Sequence, residues 1–524
     1  MRKRFMQIAN AIVAVLGLTG LGVFALNVFD IVAGTSPGVT PVRTTSQLPA
    51  LSSRTSPPVN MGGASLSQMP ISAPEAPTVL TSLNSKAGDL LGYSVDISGD
   101  WLVAGAWGDD DAGMNAGAAY FYHRELINGK YTWNLKQKVS SMDCGIGRGS
   151  YLHFGKAVAI SGSYAVVGAP HDLDRTASRS SDFRSSLSHS LKKTKTDHIG
   201  NAGRVFVFKQ ATSTNRWNCF EQGIIENPST DNNRHNHIFG LSVDIYSDTQ
   251  LSPRGTPMGG VDIIVGAKGD SNGTGKAYVF HSDGRRSFRL QQILTPPLRD
   301  RQQDSFYGES VAINGNFAAI GAPLYNRSVM GRQVSQIGCA YVYRKNFRND
   351  WMMIKKLQPS NIRAEMHFGK SVDINSEGSV AVGAYKGDSY GKDVGSAYVF
   401  RQEQGRWITQ VMSPPGKSYQ DHFGFDVALS GDVLMVGSPG YDDKTSSRNM
   451  DVGRVYFFQF SNGRWSLRQQ LSNPAGIQRG DSYGYSMAID GLNAVIGSPL
   501  GDRNDRYNAG AATYLEVSSP RLPL

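Results

Sequence analysis

A single unit is written seven times along this chain, and periods of this order specify a stacked or radial repeat architecture. Its clearest copy runs over 481–515, DSYGYSMAIDGLNAVIGSPLGDRNDRYNAGAATYL. Tyr483-Gly484 opens a short alternating strand and Asp490-Gly491 turns it. A second apolar strand ends at Gly497-Ser498-Pro499, and a polar loop leads through Gly510-Ala511-Ala512 into a third strand carrying Tyr514. Further copies begin LGYSVDISGDWLVAGAW at Leu91, FGKAVAISGSYAVVGAP at Phe154, YGESVAINGNFAAIGAP at Tyr307, FGKSVDINSEGSVAVGAY at Phe368 and FGFDVALSGDVLMVGSP at Phe423. A stretched copy starts at Phe239 and reaches IIVGAK at Lys268.

Each unit supplies four strands, expected in the fifth copy at 371–374, 379–383, 396–401 and 407–411. The fourth strand has its own echo: YTWNLKQKV from Tyr131, RWNCFEQGI from Arg216, SFRLQQIL from Ser287, DWMMIKKL from Asp350, RWITQVM from Arg406 and RWSLRQQL from Arg464. The seventh copy runs out at Val517 without one. PTVLTSLN, 77–84, precedes the first copy and aligns with RQQLSNP before the last. An N-terminal strand that completes the last blade removes two unpaired sheet edges. The fold class is therefore all-β, a seven-bladed β-propeller over 77–518 with its N-terminal strand closing the last blade. Abundant glycine, 59 residues, and the lack of any sustained helical period agree with this.

The chain before the repeats reads differently. Met1 to Arg4 is basic and 11–29 is almost unbroken apolar sequence, so 1–34 reads as an export signal or a membrane anchor. Val23-Phe24-Ala25 offers a small-residue cleavage site. Residues 35–76 are rich in Ser, Thr, Pro and Gly and read as a flexible linker. Either reading of the first segment places the body outside the cytoplasm: secreted, periplasmic or at the cell surface. Three cysteines are too few for a disulfide framework. Cys144 and Cys219 are candidates for one bridge, whereas Cys339 takes a slot that is Ala118, Ser396 or Ala511 elsewhere and is expected to be a small buried residue.

The pairs Phe154-Gly155, Phe239-Gly240, Phe368-Gly369 and Phe423-Gly424, with Gly168-Ala169-Pro170 and Gly321-Ala322-Pro323, resemble FG-GAP repeats. The resemblance spans nearly everything from Pro77 to Val517. It implies the seven-bladed propeller of integrin α subunits and of many bacterial surface proteins, hence an adhesion-type binding role. Departures are Leu91-Gly92, the tyrosines 307 and 483, and the corners Gly105-Ala106-Trp107 and Gly266-Ala267-Lys268. In the integrin-type repeat, the loop between the FG and GAP strands often carries a calcium motif. Here those loops are short hairpins, such as Ser98-Gly99-Asp100 and Ser161-Gly162-Ser163, with too few oxygen ligands. Carboxylates gather instead after the corners, which makes Asp109, Asp111, Asn115, Asp502 and Asn504 the calcium candidates, against turn residues that cap their own backbone. No cofactor is required by this reading; calcium is the one open candidate.

No enzyme is expected. GDSYG occurs at 387–391 and 480–484 and matches a serine-hydrolase pattern, but that motif needs a strand-to-helix elbow and a histidine partner. Two long departures, the Ser-rich stretch after His171 and 247–260 in the third copy, are candidate binding loops or tolerated insertions. The formal charge of +10 favours acidic surfaces, but it is spread along the chain without the aromatic-interleaved basic patch of a nucleic-acid binder. The membrane is expected only through the N-terminal segment.

The residue after each FG-type glycine starts an inner strand, and seven such positions should ring one channel mouth: Tyr93, Lys156, Leu241, Glu309, Lys370, Phe425 and Tyr485. A structural slot would favour one residue type; this one varies, as a solvent-facing position can. Tyr93, Phe425 and Tyr485 come from copies that are consecutive in a closed ring and form a candidate aromatic patch for a sugar or a cation. Lys156 and Lys370 are candidates for an acidic group. The resemblance implies the same face, where integrin aromatics cup a basic residue of the partner. The expected function is binding of a protein partner at a cell surface. The alternatives are a carbohydrate-binding lectin and, less favoured, a propeller hydrolase, while plugging of the channel mouth is the bland reading of the large residues.

Overall fold

A hairpin after each FG glycine, tight in all copies but the third, and a Gly-Ala or Gly-Ser corner after the second strand set the copies up as four-stranded antiparallel meanders. In the fifth copy the strands are Val372–Ile374, Val380–Ala384, Ser396–Glu403 and Arg406–Met412, within two residues of expectation. The computed structural model describes residues 77–517 apart from 83, 172–201, 212, 231–236, 249–259, 286, 330, 388–392, 417–418, 444–449, 475, 477 and 503–506. These residues lie in the unit Ser72–Leu524. The expected leader (1–34), the linker (35–76), the long stretch after His171 and most of the insertion after Ser247 fall outside the described residues. Among the described residues no helix is long and apolar enough to cross a membrane.

Seven four-stranded sheets form, each ordered along the chain from inner to outer strand, with one added hairpin of Arg327–Val329 and Arg332–Val334 in the fourth copy. The exception to chain order is the seventh blade. Its strands Ser486–Asp490, Asn493–Ser498 and Ala511–Glu516 are completed by Thr78–Leu80, with Thr78 opposite Tyr514 and Leu80 opposite Ala512. The closing strand is shorter than the 77–84 stretch that suggested it, but it takes the expected place. Leu80 is buried beside Val495, Ala512 and Tyr514 in a core cluster shared with the first blade.

The glycines set the spacing between blades. A Cβ on corner Gly105 would lie 2.0 Å from the Gly155 carbonyl oxygen of the next blade. At the seam, a Cβ on Gly497 would lie 2.0 Å from the Gly92 oxygen. The seam between last and first blade is therefore packed like the others. Leu91 does the work of the FG aromatic there: it is fully buried and bridges Gly510, as Phe154 bridges Gly117 and Phe368 bridges Gly338.

Inner strands are sheet edges, and their backbone N–H groups need partners. Side chains of the preceding blade supply them. Asp96 accepts from its own neighbour Ile97 N at 2.8 Å and from Ile160 N of the second blade at 2.6 Å. Asp244 does the same with Ile245 and Ile313, and Asp373 with Ile374 and Leu429. On the outer strands, Gln137 exchanges two hydrogen bonds with the Trp217 backbone, 2.8 and 2.9 Å. Gln292 clips Trp351 and Gln410 clips Trp465 in the same manner. Both devices fall between blades 1 and 2, 3 and 4, and 5 and 6. Where the aspartates stand, blades 2, 4, 6 and 7 carry Ala159, Ala312, Ala428 and Ala488. The seventh blade is held by other carboxylates: Asp426 of blade 6 accepts from Met487 N at 2.7 Å, and Asp490 accepts from Gly99 N of blade 1 at 2.7 Å.

Of the cysteines, Cys144 and Cys219 are bridged, Cα–Cα 5.2 Å, which ties the link between blades 1 and 2 to the outer strand of blade 2. Cys339 is free and buried, as expected of its small-residue slot.

Candidate functional site

The seven inner strands line one central cavity of about 770 Å³. Tyr93, Lys156, Leu241, Glu309, Lys370, Phe425 and Tyr485 all border it, each half-buried. A glycine with positive φ precedes each of them, for example Gly92 at 83° and Gly424 at 83°, and aims the chain sharply inward. The expected aromatic patch is assembled: the rings of Tyr93 and Tyr485 are 4.9 Å apart, and those of Phe425 and Tyr485 are also 4.9 Å apart.

The lysines are arranged unequally. Lys156 Nζ stands 3.9 Å from the Tyr93 ring centroid and 4.0 Å from that of Trp107, so a cation of this chain already covers part of the aromatic face. Burial lowers the Lys156 pKa, opposed by Tyr93, with the charges of Lys268 and Lys370 adding to the depression. Lys370 is 2.6 Å from Glu309, and Lys268 approaches the other oxygen of the same carboxylate at 2.8 Å. Burial works to raise the Glu309 pKa, but Lys370 and Lys268 outweigh it and hold the group at about 2. Lys370, counted with Lys156 as open to an acidic group, is already engaged.

Three mouth residues escaped the sequence reading: Trp107, Lys268 and Tyr385. Trp107 packs edge-on to Tyr93 at 5.8 Å, Lys268 holds Glu309, and Tyr385 meets Phe425 at 5.5 Å. All three replace the proline of the Gly-Ala-Pro or Gly-Ser-Pro corner, which the other blades keep as Pro170, Pro323, Pro439 and Pro499. They belong to blades 1, 3 and 5, and Trp107, Lys268 and Tyr385 reach Lys156, Glu309 and Phe425 of blades 2, 4 and 6. The signal was present as a departure from the corner motif. Two histidines complete the rim: the His153 ring lies tilted against Trp107, centroids 4.6 Å apart, and meets His171 through their Nδ1 atoms. Burial, then the charges of His171 and Lys156, lowers the His153 pKa to about 4.

Deeper in the cavity the clipping carboxylates are shifted the other way. Burial raises Asp96 and Asp373 to about 7 and Asp426 to about 6, and raises Asp244 as well, against the N–H groups that favour the charged form. A carboxyl raised on folding contributes stability that is complete below its unfolded pKa of about 4 and is lost as pH rises through its folded value. His153 and His367, both lowered to about 4, act oppositely in the same window, because stability from a depressed histidine falls as pH drops. The clean readout is therefore a difference. Between pH 5 and 8, the wild-type chain is expected to lose stability relative to an Asp96→Asn/Asp244→Asn/Asp373→Asn variant, measured by denaturant unfolding; a constant difference would contradict the assignment.

The carboxylates after the corners have partners of their own. Lys138 Nζ lies 2.6 Å from both Asp109 and Asp111, Lys86 lies 2.5 Å from Asp111, and Tyr120 donates to Asp109 at 2.7 Å. The two lysines lower the Asp111 pKa to about 2. The Asn115 N–H donates to Asp110 and the Asn508 N–H to Asp502, which is turn capping. Asn504 lies outside the described residues. Among the described residues no group of three or more His, Cys, Asp or Glu is placed to hold a metal ion. The second GDSYG segment is a turn in which Ser482 donates to the Gly480 carbonyl and Tyr483 fills the FG aromatic slot; most of the first lies outside the described residues.

Compared with known proteins, residues 78–122, 147–181, 351–400 and 409–458 match the family model described as FG-GAP repeat. The matched segments fall mainly in blades 1, 2, 5 and 6. Blades 3, 4 and 7, which carry the stretched hairpin or tyrosine in the aromatic slot, fold into the same four strands. No curated protein matches the chain.

Proposed function

We propose that this chain, an FG-GAP repeat protein, is an extracytoplasmic binding propeller that takes a protein partner at the mouth formed by Tyr93, Lys156, Glu309, Lys370, Phe425 and Tyr485. One observation carries the reading. The variable slot of the repeat gathers into a single composite surface, with three aromatic rings in contact and a charged cluster beside them. Rigid aromatic groups with adjacent charges are the usual anchors of protein recognition. A lectin built on repeats would present one pocket several times, whereas these seven positions differ in chemistry around a single opening. The segment 1–34 would export or tether the body, and 35–76 would space it from the envelope.

The test is a protein and glycan binding screen with the full-length chain, followed by Tyr93→Ala/Phe425→Ala/Tyr485→Ala. A loss of at least about a hundredfold in affinity is expected for the ligand found, on the scale of two hot-spot contacts. Unchanged affinity in a variant that still melts cooperatively would place the site elsewhere.

A further inference from the structure

Resting on the mouth reading above, we infer that the partner presents an acidic side chain to the mouth and that Lys156 is the residue that receives it. Three lysines, Lys156, Lys268 and Lys370, meet one carboxylate at this opening. Glu309 is consumed by two of them. Lys156 has no carboxylate within ion-pair distance among the described residues; its ammonium rests on the faces of Tyr93 and Trp107. The cluster therefore carries an excess of two positive charges at the rim of a cavity, and a half-buried ammonium among like charges gains most from an incoming anion. The aromatic rings restrict the lysine, so the contact forms with little loss of side-chain freedom. Tyr485 and Phe425 extend the same surface for the apolar part of the incoming residue. Around this single opening, a carboxylate on a protein is favoured over the repeated carboxylates of an acidic glycan, which would suit a repeated site.

The arrangement makes opposite predictions for its two charged members. Isothermal titration of the full-length chain with a short oligoglutamate should give salt-dependent binding. Lys156→Met should weaken it by about tenfold or more, the scale of one charge-assisted contact, while Lys156→Arg keeps most of it. Glu309→Gln should tighten it, because the competing internal carboxylate is gone. A purely structural role for these residues predicts no tightening. An oligogalacturonate of matched charge that binds where oligoglutamate does not would overturn the proposal in favour of an acidic glycan. Absence of binding to both, or Lys156→Met binding as the wild type does, would overturn it outright. If the aromatic triple variant loses the partner found by the screen but Lys156→Met does not, this inference fails and the mouth reading stands.

Discussion

Removing 77–84 from the full-length chain should cost about 5 kcal/mol, most of the stability of a typical domain. The estimate adds the strand's hydrogen bonds to Ala511–Glu516, each worth about 1 kcal/mol, to the burial of Leu80, worth about 2–5 kcal/mol. The loss also leaves Ala511–Glu516 as an open edge, so the truncated protein should associate in a concentration-dependent way. Leu80→Ala is the milder companion, expected to fall by about 3 kcal/mol without exposing that edge. Equilibrium unfolding in urea measures both. A truncated chain as stable as the parent would show that the seventh blade closes without Thr78–Leu80, despite the register of Thr78 with Tyr514 and Leu80 with Ala512.

Reduction of the Cys144–Cys219 bridge should be the second large effect. The bridge spans 75 residues and encloses both inner strands of the second blade, Ala157–Ser161 and Tyr164–Ala169. In the loop-closure account a cross-link of that span stabilises by about 4 kcal/mol. The surrounding packing is otherwise complete: Cys144 and Cys219 sit with Ile146 and Ile224 against the core formed by Trp101, Phe121, Phe208 and Trp217. A Cys144→Ser/Cys219→Ser variant should therefore fold to the same structure and melt well below the oxidised parent. Equal melting temperatures with and without reductant would mean that the chain's stability does not draw on this link.

Much of the fold was legible because its constraints are local. An aromatic before glycine, a turn, and a small-residue corner each have one backbone solution, and seven copies with six outer strands leave one place for Thr78–Leu80. The mouth positions were legible for the same reason, since each follows a glycine of fixed conformation. What could not be read were contacts between copies. Trp107, Lys268 and Tyr385 look like decayed corners until the ring brings each against the next blade. The alternation of Asp96, Asp244 and Asp373 with alanines is visible in the letters, but its meaning, an N–H of the neighbouring inner strand at 2.6 Å, is not. Nor does the sequence reveal that Lys370 spends its charge on Glu309, or that Asp109 and Asp111 are held by Lys138 and Lys86. Ion pairs between distant segments depend on side-chain reach, which spacing does not encode.

The claim that one composite mouth binds the partner is tested most directly by hydrogen–deuterium exchange of the full-length chain, with and without the protein found by the screen. Slowed exchange is expected at the amides around Tyr93, Lys156, Lys370, Phe425 and Tyr485, together with the corners at Trp107 and Tyr385. Protection confined to the outer strands, such as Trp351–Leu357 with its exposed Met352 and Ile354, would contradict it and move recognition to the rim of the propeller.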